Sequence, residues 1–140
     1  MGSAGPGGEL MIGMHIRTRS YTELVRKRAK DATFRNLTHA AATLRMTARR
    51  SLRKRKRPSA PGQPPSSPTG RLRESILYAV DRRRDYAVIG PARNLIGPAG
   101  QEHEHGAHIR RERFPKRPFM GPAFEKIRPR LARLWAGSVK

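Results

Sequence analysis

Two rhythms of apolar and polar positions run along this chain. Ser20-Tyr21-Thr22-Glu23 matches a capping box, with Ser20 as N-cap and Glu23 at the third helical position. No glycine or proline follows until Pro58. Tyr21, Leu24, Val25 and Ala32 lie on one stripe, and Leu37, Ala41, Leu44, Ala48 and Leu52 lie on a second at spacings of three and four. The pattern predicts a long N-terminal helix, kinked or broken around Asp31 to Asn36, where the stripes fall out of step. Alanines in the second stripe permit close approach by another element. A helix this long in so short a chain also suggests packing against a neighbouring subunit.

The second rhythm has period two. Ile12, Met14 and Ile16 alternate within Leu10 to Arg17, a short strand that follows a Gly-rich, disordered stretch at Met1 to Glu9. Leu77 to Val80 and Tyr86 to Ile89 form a hairpin across a charged turn, Asp81 to Asp85, and Gly90-Pro91 stops its second strand. Asn94 to Gly106 reads as loop, punctuated by Gly97, Pro98 and Gly100. Arg113 to Pro122 is extended. Pro122 then opens a closing helix whose apolar side is Phe119, Phe124, Ile127, Leu131, Leu134 and Trp135, with Gly137 as its stop. At Pro129 that helix either kinks or restarts. The elements together predict an α+β fold: a long N-terminal helix, a small antiparallel sheet with a hairpin, and a C-terminal helix.

Between the first helix and the hairpin lies Pro58 to Ile76, which holds five of the chain's 12 prolines. Proline removes a backbone donor and keeps the preceding residue out of the α region, so Pro58, Pro61, Pro64, Pro65 and Pro68 allow neither helix nor central strand. The stretch is an extended arm, which serves either as a solvated linker or as a contact to something else. It ends at Thr69-Gly70, and Arg71 to Ile76 forms a helical turn. Pro61, Pro64, Pro65, Pro68, Leu72 and Ile76 are its candidate subunit-interface residues. The arm with its basic approach spans 53–70, inside one domain that runs from 10 to 140.

Charge sharpens that picture. The chain has 31 basic and 10 acidic residues, a formal charge of +21 over 140 residues, while apolar residues make up only 36%. Like charges at that density repel within a compact monomer, and a polyanion or an acidic protein relieves them. Arg45, Arg49, Arg50, Arg53, Lys54, Arg55, Lys56 and Arg57 come without one acidic neighbour. They read either as a solvated helix end, where cations suit the dipole, or as a patch facing duplex DNA or an acidic partner. Aromatic residues are not interleaved, which argues against stacking on single strands.

Chemistry beyond charge is sparse. The absence of cysteine excludes disulfides and thiolate metal sites. No apolar run reaches the roughly 20 residues of a membrane span, so no membrane contact is expected. His103, His105 and His108 have the residue type for zinc or nickel, but the same three suit a polar loop, and no metal or cofactor is assigned. No nucleophile–base order, phosphate loop or zinc signature is present, and an enzyme is not expected.

The order Pro61 to Ile76 (PGQPPSSPTGRLRESI), Val88 to Pro91 (VIGP), His103 to Gly106 (HEHG) and Phe114 to Glu125 (FPKRPFMGPAFE) resembles small tail-completion, or neck, proteins of long-tailed bacteriophages, also described as minor tail or virion-morphogenesis proteins. The motif positions are Gly70, Gly90, Glu104, Gly106, Arg117, Pro118, Phe119, Met120 and Pro122. The resemblance spans about Ser20 to Ser138. It implies a structural subunit of a homo-oligomeric ring at the head–tail junction, six-fold by preference and twelve-fold as the alternative. Its implied partners are connector, adaptor or stopper proteins on the head side, terminator or tail-tube proteins on the other, and packaged double-stranded DNA in the lumen. The implied place is the virion, reached through assembly in the host cytoplasm. A tail terminator or head-completion stopper ring is the alternative within the class. A basic nucleic-acid-binding protein, ribosome- or nucleoid-associated, is the alternative outside it. The chain departs from the family where His105 replaces a bulky apolar residue and Gln101 to His103 replace apolar ones. A short helix is implied there, against the loop reading above.

Overall fold

Thirty residues of unbroken helix, α1 (Thr22–Ser51), form the spine of the computed structural model, which describes residues 21–136. At about 1.5 Å per residue α1 is about 45 Å long. It passes straight through Asp31 to Asn36, so neither the kink nor the break occurs. The out-of-step stripes have another cause: the helix spans two environments. Ala32 of the first stripe and Ala41, Leu44, Ala48 and Leu52 of the second are buried, whereas Tyr21, Leu24 and Val25 at the start of the helix stay exposed. The helix also begins one residue later than the capping box places it. Tyr21 is the N-cap, without a side-chain cap bond, and Glu23 pairs with Arg26 at 3.2 Å. Ser20, the strand over Leu10 to Arg17, the Met1 to Glu9 stretch and Gly137 lie outside the described residues.

Chain order after α1 is α2 (Arg71–Ser75), β1 (Ile76–Asp81), β2 (Tyr86–Pro91), α3 (Arg93–Ile96), α4 (Ala99–His105), β3 (Ala107–Ile109), β4 (Glu112–Phe114) and α5 (Met120–Trp135). The fold is α+β, with two separate two-stranded antiparallel sheets, β1–β2 and β3–β4. In the first, Ile76 faces Pro91 and Asp81 faces Tyr86, so the strand continues through Gly90-Pro91 and the turn shortens to Arg82–Asp85. The Asp81 carboxylate accepts the N–H groups of Arg83 (2.9 Å) and Arg84 (3.1 Å), and Asp85 takes a left-handed φ of 55°. Aspartate tolerates both roles.

This hairpin lies along α1 and is fastened at both ends. Arg45 Nε donates to the Ile76 carbonyl (2.8 Å) at one end, and Arg82 bonds Asp31 and stacks over Phe34 at the other. Fourteen helical residues span about 21 Å, and six strand residues about 20 Å, so the lengths match. Leu44 and Ala48 of α1, with Leu52 just past its end, then meet Leu72, Ile76, Phe119, Ala123 and Ile127 in the core. Phe124 and Trp135, expected on the buried side of α5, are largely exposed. The helix runs unbroken through Pro129, held on either side by the buried Ile127 and the half-buried Leu131, and does not restart.

Asn94 to Gly106 is not a loop. Gly97 (φ 63°) and Pro98 separate two short helices instead of abolishing them, and α4 forms although Gln101 to His103 and His105 are polar where the family has apolar residues. Helices of four and seven residues are too short for a period of 3.6 to show. Gly100 is required by contact, since a Cβ there would sit 2.2 Å from Pro91 Cγ. The second hairpin was also hidden. Its turn residues, Arg110 (φ 50°) and Arg111 (φ 67°), both adopt left-handed backbone, the conformation of a turn that normally takes Asn-Gly. Non-glycine residues held there cost about 1 kcal/mol or more each. The double substitution R110N/R111G is therefore expected to raise unfolding free energy by about 1–2 kcal/mol, as read by urea denaturation. An unchanged midpoint would show that the turn carries no such strain.

Candidate functional site

The eight basic residues do not act as one patch. Arg45 is half-buried, holds the Ile76 carbonyl and stands 6.0 Å from the Tyr78 ring centre, so its role is structural and it leaves the candidate site. Arg49 is half-buried on the last turn of α1. Arg50, Arg53, Lys54, Arg55, Lys56 and Arg57 are exposed. The helix ends at Leu52, whose N–H reaches the Arg49 carbonyl (3.2 Å), and the chain leaves it extended.

The arm folds back beside this outgoing leg. Ser67 N–H donates to the Arg53 carbonyl (2.9 Å), and Ser66 Oγ donates to the Arg57 carbonyl (2.7 Å) while accepting from Arg55 Nε (3.4 Å). Between the legs lies a cleft of about 430 Å³, lined by Arg50, Arg53, Arg55, Gln63, Pro64 and Ser66 among others, with no carboxylate among the described residues of its wall. The arm is thus seated on its own chain. Pro65 is fully buried, and Leu72 and Ile76 belong to the chain's own core, so these three are withdrawn as subunit-interface residues. The burial of Leu72 and Ile76 follows from the tight return at Gly70 (φ 80°), which aims α2 inward. Pro61 and Pro68 remain exposed and Pro64 half-exposed.

A second constellation locks the arm in place. Glu104, on the inner side of α4, receives three backbone N–H groups at the start of α5. Phe119 (2.9 Å) and Met120 (3.0 Å) donate to Oε2, and Gly121 (2.9 Å) donates to Oε1. These N–H groups have no carbonyl of their own helix to bond, and a carboxylate also suits the positive end of the helix dipole. A Cβ at residue 121 would come within 3.0 Å of Oε1, so glycine lets the carboxylate approach. Gly106 turns the chain out of α4 with φ 78°. Arg117 lies between: its N–H donates to the His103 carbonyl (2.7 Å) and its Nε to the Ser59 carbonyl (3.0 Å). Gly62 N–H donates to the Lys116 carbonyl (2.8 Å), a further tie to the arm. Phe119 is completely buried, Pro118 and Met120 half-buried, and Pro122 exposed in the first turn of α5. At Gly90 a Cβ would meet open space, and nothing in the structure explains glycine there.

The histidines do not converge. His105 and His108 are exposed, and among the described residues no three His, Asp or Glu side chains are placed to hold a metal. His103 is half-buried beside Arg117. Burial and then the positive Arg117 hold its imidazole below the ordinary range, partly offset by Glu102. Sequence reasoning missed Lys126 and Arg130 of α5, which line a groove with Arg50. Their i,i+4 spacing is visible in the chain, but the face they share with α1 is not.

Compared with family models, with curated proteins and with solved structures, the chain matches none.

Removing the Glu104 carboxylate strands three N–H groups. Glu104→Ala is expected to cost about 2–3 kcal/mol in urea unfolding, with Glu104→Gln intermediate because one acceptor oxygen remains. A cost below about 0.5 kcal/mol would mean that water replaces the carboxylate freely. For His103 the depressed folded value means that the unfolded chain binds the proton more readily. Its stabilisation is complete above the unfolded value of about 6.5 and is lost as pH falls through the folded one. The melting temperature is expected to drop between about pH 7 and pH 5, and His103→Gln to flatten that part of the profile.

Proposed function

We propose that this chain is a structural subunit of a ring at the phage head–tail junction, joining connector to tail around the DNA exit channel. The observation that carries the proposal is that motif positions of the resemblance converge. Glu104 and Gly106 come before the second hairpin and Arg117, Phe119 and Met120 after it, yet they form one lock between α4 and α5. An α+β arrangement with a long first helix and a closing helix also agrees with what the resemblance implies.

Two further features suit a ring subunit. Tyr21, Leu24 and Val25 at the start of α1, and Leu77 and Val88 on the hairpin, are apolar side chains left exposed among the described residues. Contact between copies in a closed ring would cover such faces. The formal charge of +21 suits DNA passing the lumen or acidic faces of neighbouring rings. On this reading the exposed rim of the arm, Pro61 and Pro68, lies against the next subunit. The excess charge equally suits a basic nucleic-acid-binding protein, which is the competing class.

Native mass measurement with and without DNA separates the two. A ring, six-fold by preference and twelve-fold as the alternative, is expected in the absence of DNA, with an open channel by negative-stain microscopy. Leu24→Glu is expected to dissociate that ring while leaving the melting temperature of the subunit within about 2 °C, because the side chain is exposed. A wild-type chain that stays monomeric and forms particles only on DNA would sink the neck reading.

A further inference from the structure

Two clefts that share a wall run across the end of α1. The first lies between α1 and the arm and is lined by Arg50, Arg53 and Arg55. The second, about 370 Å³, lies between α1 and α5 and is lined by Arg50, Lys126 and Arg130. Arg50 and Ser51 belong to both. Five cationic side chains from three separate parts of the chain therefore border one path, and among the described residues neither wall contains an aspartate or glutamate. None of the five is in an ion pair among the described residues, and the nearby Glu125 is paired with Arg128 at 3.6 Å. The hydroxyls in the walls are already committed as donors. Thr47 Oγ1 bonds the Thr43 carbonyl (2.9 Å) and Ser51 Oγ the Ala48 carbonyl (2.6 Å). What the path offers a ligand is charge, with almost no neutral hydrogen-bond donors.

We infer that the two clefts form one continuous phosphate-binding track, joined at Arg50, that takes the sugar–phosphate backbone of duplex DNA. The choice of DNA as the polyanion rests on the function proposed above; the track itself rests on the geometry. Cations spaced along a path suit a repeating diester better than a single phosphate, which would be held by side chains converging on one point. Among the described residues no aromatic side chain lines either cleft, so they offer no platform for the bases of a single strand. The track is backbone-reading and independent of sequence.

The test is fluorescence anisotropy of a short labelled DNA duplex, titrated with the full chain at several salt concentrations. Each replaced phosphate contact is expected to shallow the log–log salt slope by about 0.9. The pairs R53Q/R55Q and K126Q/R130Q should therefore each shallow it by about 1.8 and weaken binding by about tenfold or more. The charge-preserving R53K/R55K pair should keep the wild-type slope. The control is R83Q/R84Q, which removes the same charge from the hairpin turn at the other end of the molecule. Its loss should stay below about threefold. An equal loss in the control means diffuse attraction and overturns the track. An effect of only one pair overturns its continuity. Polyglutamate of matched charge competing as well as unlabelled duplex shows an acidic protein partner instead. Native mass of the same samples keeps the two readings apart. Intact rings with no pair-specific effect sink the track alone, and a pair-specific effect in a chain that never assembles sinks the neck reading alone.

Discussion

The N–H groups of Phe119, Met120 and Gly121 have no helical carbonyl to bond, and the Glu104 carboxylate takes all three. Helix α5 could not start at this point, with Phe119 driven fully into the core, if those donors were left dry. Once α5 is fixed, Ala123 and Ile127 meet Leu44, Ala48 and Leu52, and the C-terminal half of α1 has a core to lie on. The strand of chain that leads into α5 carries Lys116 and Arg117, and these hold the arm at Gly62 and Ser59. One carboxylate thus governs where the closing helix, the long helix and the basic arm stand relative to one another.

The same economy explains where the positive charge remains unanswered. The chain has only 10 acidic residues. Glu104 is committed to backbone N–H groups and Asp81 to its turn. Glu23, Asp31 and Glu125 sit beside arginines of the helices and the hairpin. Exposed pairs of this kind contribute little to stability, but they decide the local field. None reaches the clefts at the end of α1, so that end keeps its positive potential. The fold places these carboxylates where geometry needs an acceptor and leaves the exposed basic side chains of the arm without one.

Much of the fold was legible in the chain. Thirty residues without glycine or proline, with apolar positions at helical spacing, can hardly be anything but α1. Two short apolar runs on either side of the charged Asp81 to Asp85 marked the first hairpin, and Pro122 marked the first turn of α5. Helices α3 and α4 escaped because one or two turns carry no readable period, and because Gly97 and Gly100 look like loop punctuation. Gly100 is in fact a contact with Pro91. The second hairpin escaped because two arginines occupy a turn whose usual residues are Asn and Gly.

The basic cluster and the proline arm could each be named from residue type and spacing, since charge, missing donors and fixed φ are properties of the residues themselves, whereas Glu104 and Arg117 were singled out only by the family resemblance. Their roles were decided only when the chain folded. Arg45 and Arg53 differ in nothing the sequence displays, yet one is tied to the Ile76 carbonyl and the other faces a cleft. Leu72 and Ile76 looked like the end of an arm and are core, because Gly70 turns them inward. Lys126 and Arg130 joined the basic surface only because α5 docks across α1, a contact between residues about 75 positions apart that no local pattern encodes.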